Sequence, residues 1–115
     1  MAVYVSSMPE SEEHKYLKKC AIRMLNGQPE KVINGIVDVK TPGSCVEIEL
    51  SGRRSRLEHA IKKLSSSPCN GGVLIVPQKD LSIARSLADD NIEIISNEMF
   101  SNICQRKNIE NYKKK

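Results

Sequence analysis

The sequence predicts an α/β domain with a mixed central sheet of about four to five strands and helices on both faces. Three observations point there. Apolar residues recur at helical spacing in three separate segments, from Glu10 to Leu25, Ser55 to Leu64 and Asp80 to Asp90. Short apolar runs of strand length lie between them, at Val73–Val76 and Ile92–Ile95. Ahead of these, Gly35 to Arg54 reads as two extended segments joined by a Thr-Pro-Gly turn, which is the pattern of a hairpin. A hairpin followed by alternating helices and strands is the order of a sheet that starts antiparallel and continues through crossovers.

The first helix, Glu10 to Leu25, places Tyr16, Leu17, Cys20, Ala21, Met24 and Leu25 at spacings of three and four. Ser7 or Ser11 can cap it, and Glu10, Glu12 and Glu13 suit the positive end of its dipole. Asn26-Gly27 ends it and Pro29 prevents its resumption. Lys31 to Lys40 is the first strand, with a bulge or an earlier turn at Asn34-Gly35. Ser44 to Ser51 is the second, and it has the cleanest alternation in the chain. Glu47 and Glu49 share one face, opposite Val46, Ile48 and Leu50.

The helix from Ser55 to Leu64 turns Leu57, Ala60, Ile61 and Leu64 inward, and Ser65-Ser66-Ser67-Pro68 breaks it. Val73–Val76, wholly apolar, belongs in the sheet interior. The third helix turns Leu81, Ala84, Leu87 and Ala88 inward, and Asn97 to Cys104 is a last short helix. Residues 1–105 thus form one domain, and 106–115 a basic polar tail expected to fray.

Composition bounds what such a domain can be. Aromatic residues make up 3% of the chain, with no Trp, so its core rests on Ile, Leu and Val. No apolar run approaches the roughly 18 residues of a membrane span. The N-terminal residues lack the basic and apolar regions of a secretory signal, which makes a cytosolic location the expectation. Cys20, Cys45, Cys69 and Cys104 include no CxxC pair, which argues against a zinc ribbon or a thioredoxin-like centre. They read as separate small buried apolar side chains, with a structural disulfide as the alternative. The net charge of +4 is mild and permits a polyanionic partner. Away from the terminal lysines, the basic residues gather at Arg53, Arg54, Arg56, Lys62 and Lys63, directly after the carboxylate strand.

If the hairpin forms, Asp38 near the end of its first strand comes close to Glu47. Like charges so placed repel unless a cation or a proton lies between them, so the hairpin has the makings of a divalent-metal site. The plainer alternative is that the alternating glutamates are the solvated outer face of a half-buried sheet.

The order helix, hairpin, helix, strand resembles the PD-(D/E)xK, or restriction-endonuclease-like, nuclease superfamily. Asp38 matches its metal-binding Asp, Glu47 matches the first residue of its (Asp/Glu)-x-Lys motif, and Glu12 or Glu13 its helix carboxylate. Two branches resemble the chain more closely: small archaeal Holliday-junction resolvases, and a competence-protein-like branch with segments like Ser11-Glu12-Glu13-His14-Lys15 and Val46-Glu47-Ile48-Glu49-Leu50-Ser51. The resemblance covers roughly Glu10 to Ile95. It implies a restriction-endonuclease-like core and a Mg2+- or Mn2+-dependent DNA nuclease, with Asp38, Glu47 and the backbone carbonyl of Ile48 around the metal.

One departure matters. Glu49 stands where the family has its Lys, and it cannot supply positive charge. Lys40, two residues beyond Asp38, is the preferred substitute, with Arg53 as another candidate. His14 is a candidate proton carrier or phosphate contact. The basic cluster from Arg53 to Lys63 would contact phosphates, and the small size of the chain favours a homodimer on DNA. Two other functions fit the same residues: a catalytically inactive nucleic-acid-binding protein with the nuclease fold, and an interaction subunit with no nucleic-acid role.

Overall fold

Alternation along the two inner strands organises the fold. In the strand that carries the glutamates, Cys45 faces one way while Val46 and Ile48 face the other. In the next strand, Leu74 and Val76 oppose Ile75. Because both faces of these strands are apolar, both must be covered, and helices lie on each side. The computed structural model describes residues 11–25, 28–29, 39–41, 44–66 and 69–113. Most of the expected first strand, Lys31 to Asp38, lies outside them.

The elements run α1 (Glu12–Leu25), β1 (Gln28–Pro29), β2 (Val39–Thr41), β3 (Ser44–Ile48), α2 (Arg54–Ser65) and β4 (Gly72–Val76). After a 3-10 turn (Gln78–Asp80) come α3 (Leu81–Leu87), β5 (Ile92–Ser96) and α4 (Asn97–Lys113). The sheet order is β1-β2-β3-β4-β5. The first two pairings are antiparallel, with Val39 opposite Val46 and Lys40 opposite Cys45. Strands β3, β4 and β5 are parallel.

Both crossovers, through α2 and α3, step the sheet in the same direction. Their shared handedness therefore puts both helices on one face. There Leu57, Ala60, Ile61, Leu64 and Ala84 pack on Cys45, Leu74, Val76 and Ile92. Outside the crossovers, α1 and α4 cover the other face, where Leu17, Cys20, Ala21, Phe100 and Cys104 meet Val46, Ile48 and Ile75. Tyr16, expected inward, is 39% exposed.

Local chemistry sets the element ends. Ser11 caps α1, its Oγ accepting the His14 N–H at 3.0 Å. Ser96 ends β5 and caps α4, its Oγ accepting the Met99 N–H at 3.0 Å, so strand passes into helix without a loop. The third helix is shorter than its apolar pattern suggested, because the backbone turns extended at Ala88. Strand β1 was not expected. Pro29 stops the helix, and it also fits an edge strand, where its missing N–H is not needed. The expected tail is helical as far as Lys113, since nothing from Gln105 to Lys113 breaks a helix.

All four cysteines are bridged, which corrects the expectation of separate apolar side chains. Cys20–Cys104 joins α1 to α4, and Cys45–Cys69 joins β3 to the loop after α2. Their Cα separations of 5.9 and 5.6 Å lie within bridging range. Sequence spacing could not reveal this, because the partners meet only when the helices dock. On a chain-entropy account the two loops are worth about 4.5 and about 3.5 kcal/mol. Among the described residues no helix is long and apolar enough to cross a membrane.

Gly72 opens β4 with φ +142°, and a Cβ there would run into the carbonyl oxygen of Cys45. Gly72→Ala is expected to lower the unfolding free energy by more than about 2 kcal/mol. Urea titration checks this, and an unchanged midpoint would contradict the close β3–β4 approach.

Candidate functional site

The alternation that buries Cys45 on the α2 face also places Glu47 there. Glu47 is only 5% exposed, which excludes the solvated-face reading for this residue. A carboxylate so far from water needs a counter-charge. Lys63 supplies it from the last turn of α2, with its Nζ 2.5 Å from Glu47 Oε2. The side chain of Lys63 is itself 23% exposed.

Around this pair lies an open pocket of about 250 Å³. Glu47 and Ile48 come from the end of β3 and Glu49 directly after it, His14 from α1, and Arg56, His59, Ala60 and Lys63 from α2. It sits toward the carboxyl end of β3, the region where open parallel sheets usually bind ligands. Beyond it, Gly52 has φ +77°, which lets the chain turn from β3 into α2. Glu49 Oε2 accepts the Ser51 N–H at 3.0 Å and Ser51 Oγ accepts the Arg53 N–H at 3.2 Å, holding that turn.

The helix contributes two adjacent stripes. Leu57, Ala60, Ile61 and Leu64 are buried against the sheet. Beside them Arg56, His59 and Lys63 recur at spacings of three and four and face the pocket. Two carboxylates, one guanidinium and one ammonium cancel in formal charge. His14 and His59 are the two imidazoles on its wall.

The expected site residues separate as follows. Glu47, Ile48, Glu49, His14, Arg56 and Lys63 are brought together at the pocket. Arg53, Arg54 and Lys62 are exposed and do not line it, and Arg54 pairs with Glu58 at 3.1 Å. Glu12, with its side chain 94% exposed, pairs with Lys15 at 3.5 Å. Glu13 accepts a 2.6 Å hydrogen bond from the Asn97 Nδ2. Neither lines the pocket. Lys40 lies opposite Cys45 in the sheet register. Asp38 lies outside the described residues.

His59 was missed from sequence. Its signal is the basic stripe of which it is the middle member, hidden by grouping the basic residues by proximity in sequence. Lys18, one turn beyond His14, is buried at 8% exposure but does not line the pocket.

Among the described residues no group of three or more His, Cys, Asp or Glu side chains could hold a metal ion. In kind, the oxygens of Glu47, Glu49 and the Ile48 carbonyl suit a hard cation such as magnesium, which needs only one or two protein carboxylates. Compared with known proteins, the chain matches no family model, and no curated protein or solved structure at a significant level.

Lys63→Met removes the counter-charge from a buried carboxylate and is expected to lower the unfolding free energy by about 1–3 kcal/mol. Lys62→Met, one position away and exposed, is expected to change it by less than about 0.5 kcal/mol. Parallel urea titrations check the contrast, and equal losses would contradict it.

Proposed function

We propose that the protein is a divalent-metal-dependent nuclease that hydrolyses DNA phosphodiester bonds, with a restriction-endonuclease-like core, acting as a homodimer. One observation carries the reading: Lys63 from α2 lies on Glu47 beside Glu49. The resemblance requires a positive charge near these carboxylates, and position 49 does not provide it. Lys63, rather than Lys40, is the residue this reading assigns to that role.

Glu47, the Ile48 carbonyl and Asp38 would hold the cation. When bound, it would supply Lewis-acid polarisation of the phosphate and a more acidic water. The chain's own residues do the rest. Lys63 offsets the charge of Glu47 and orients an attacking water. Glu49 is placed to accept a proton. Arg56 at the pocket, with exposed Arg53, Arg54 and Lys62, binds phosphates along the strand.

A second reading has one observation in its favour. The ammonium of Lys63 is already engaged by Glu47, and the carboxylate of Glu49 by the Ser51 amide. A site so satisfied fits a protein that binds nucleic acid through α2 without cutting it.

Cleavage of linear, branched and single-stranded DNA in magnesium or manganese separates the two. The nuclease reading predicts turnover that falls at least about a hundredfold in Glu47→Ala and in Lys63→Ala. Turnover that survives both changes would overturn the site assignment. Salt-dependent binding with no turnover in either metal would select the second reading. Changing Arg53, Arg54 and Arg56 together to Ala is expected to weaken DNA binding and flatten its salt dependence, as checked by fluorescence anisotropy.

A further inference from the structure

Beyond the apolar packing of α2 on Cys45, an ionic and a covalent link join β3 to α2 and its exit. The ionic link is between Glu47 and Lys63. The covalent link is Cys45–Cys69. Cys45 precedes Glu47 by two residues on the same face, and Cys69 follows Lys63 by six in the loop that leaves the helix. The disulfide therefore tethers the end of α2 that carries Lys63.

The two disulfides differ in access at one sulfur, since Cys45, like Cys104, is 0% exposed. Cys69 is partly exposed and lines a surface hollow of about 350 Å³, with Ser44, Asn70 and Asn91 among its walls. Cys20 and Cys104 are 2% and 0% exposed, beneath α1 and α4 on the opposite face. Disulfide exchange needs a thiolate to reach a sulfur, so access ranks the two bridges.

We propose that Cys45–Cys69 is a reducible clamp that controls the pocket, while Cys20–Cys104 is structural. A dithiol reductant attacks Cys69 Sγ as a thiolate, forming a mixed disulfide and expelling the Cys45 thiolate. Its second thiol, as thiolate, then attacks its own sulfur in the mixed disulfide and releases Cys69. The two protons given up by the dithiol end on Cys45 and Cys69. One protein disulfide and one dithiol thus become two protein thiols and one cyclic disulfide. With the tether gone, the last turn of α2 opens locally and Lys63 leaves Glu47. As regulation of cleavage this rests on the nuclease reading, whereas the opening of α2 does not.

The test uses the whole oxidised chain. It is treated with graded dithiothreitol, its free thiols are alkylated and mapped by mass spectrometry, and amide hydrogen exchange is followed on the same samples. Cys45 and Cys69 are expected to be alkylated at reductant levels that leave Cys20–Cys104 intact. Exchange in residues 61–66 then rises about tenfold or more, with residues 97–106 unchanged. Cys45→Ser with Cys69→Ser is expected to show the same pattern without reductant. If that variant fails to fold, the titration of the unaltered chain decides. Reduction of Cys20–Cys104 first, or reduction of Cys45–Cys69 with no change at 61–66, would overturn the proposal. Absence of DNA cleavage in both redox states would sink the nuclease reading and leave the exchange result to judge the clamp.

Discussion

A carboxylate on an interior strand, nearly closed off from water, is the constraint on which this structure turns. Glu47 continues a face on which Cys45 is packed beneath α2. An ionised group there is stable only with a counter-charge and hydrogen bonds. Lys63 answers it, and Lys63 reaches only if α2 lies at one height and one rotation over β3. The apolar stripe of α2 fixes the rotation by packing on Cys45, Leu74 and Val76. The Cys45–Cys69 bridge ties the loop after α2 back to β3. The pocket, with Arg56 and His59 on its wall, is a consequence of that docking.

The rest of the fold supplies rigidity with little aromatic mass. Small side chains let helices approach the sheet closely, as Ala21, Ala60 and Ala84 do, all fully or nearly buried. A core built this way buries modest area per residue, which makes cross-links valuable. Each face of the sheet has one. Cys20–Cys104 spans most of the chain and holds the first and last helices together. Cys45–Cys69 closes the shorter separation, 24 residues, which contains α2. Their different depths suggest different roles, one in holding the fold and one in positioning α2.

Much of this architecture was legible in the sequence because it rests on periodicity. The alternation from Val46 identified β3 and put Glu47 opposite Val46 and Ile48, although the strand ends at Ile48 and not at the expected Ser51. The apolar spacing of Leu57, Ala60, Ile61 and Leu64 identified both α2 and its buried face. Features that depend on how elements dock were not legible. Strand β1 is two residues long and exists through its pairing with β2. Cys20 meets Cys104 only once α1 docks on α4, and Cys45 meets Cys69 only once the loop after α2 returns to β3. Lys63 looked like part of a solvent-facing basic run because its partner is sixteen residues earlier on another element. His59 belonged to a stripe whose meaning depends on what lies opposite. The partners of the acidic start of α1 were not legible either: Glu12 pairs with Lys15 and Glu13 with Asn97.

The central claim is that Glu47 and Lys63 act as one unit that docks α2 on β3. A double-mutant cycle on unfolding free energy measures this directly, using Glu47→Gln, Lys63→Met and the two together. The account predicts a coupling of about 1–3 kcal/mol, with the double variant losing less than the sum of the singles. Losses that add within about 0.3 kcal/mol would contradict it.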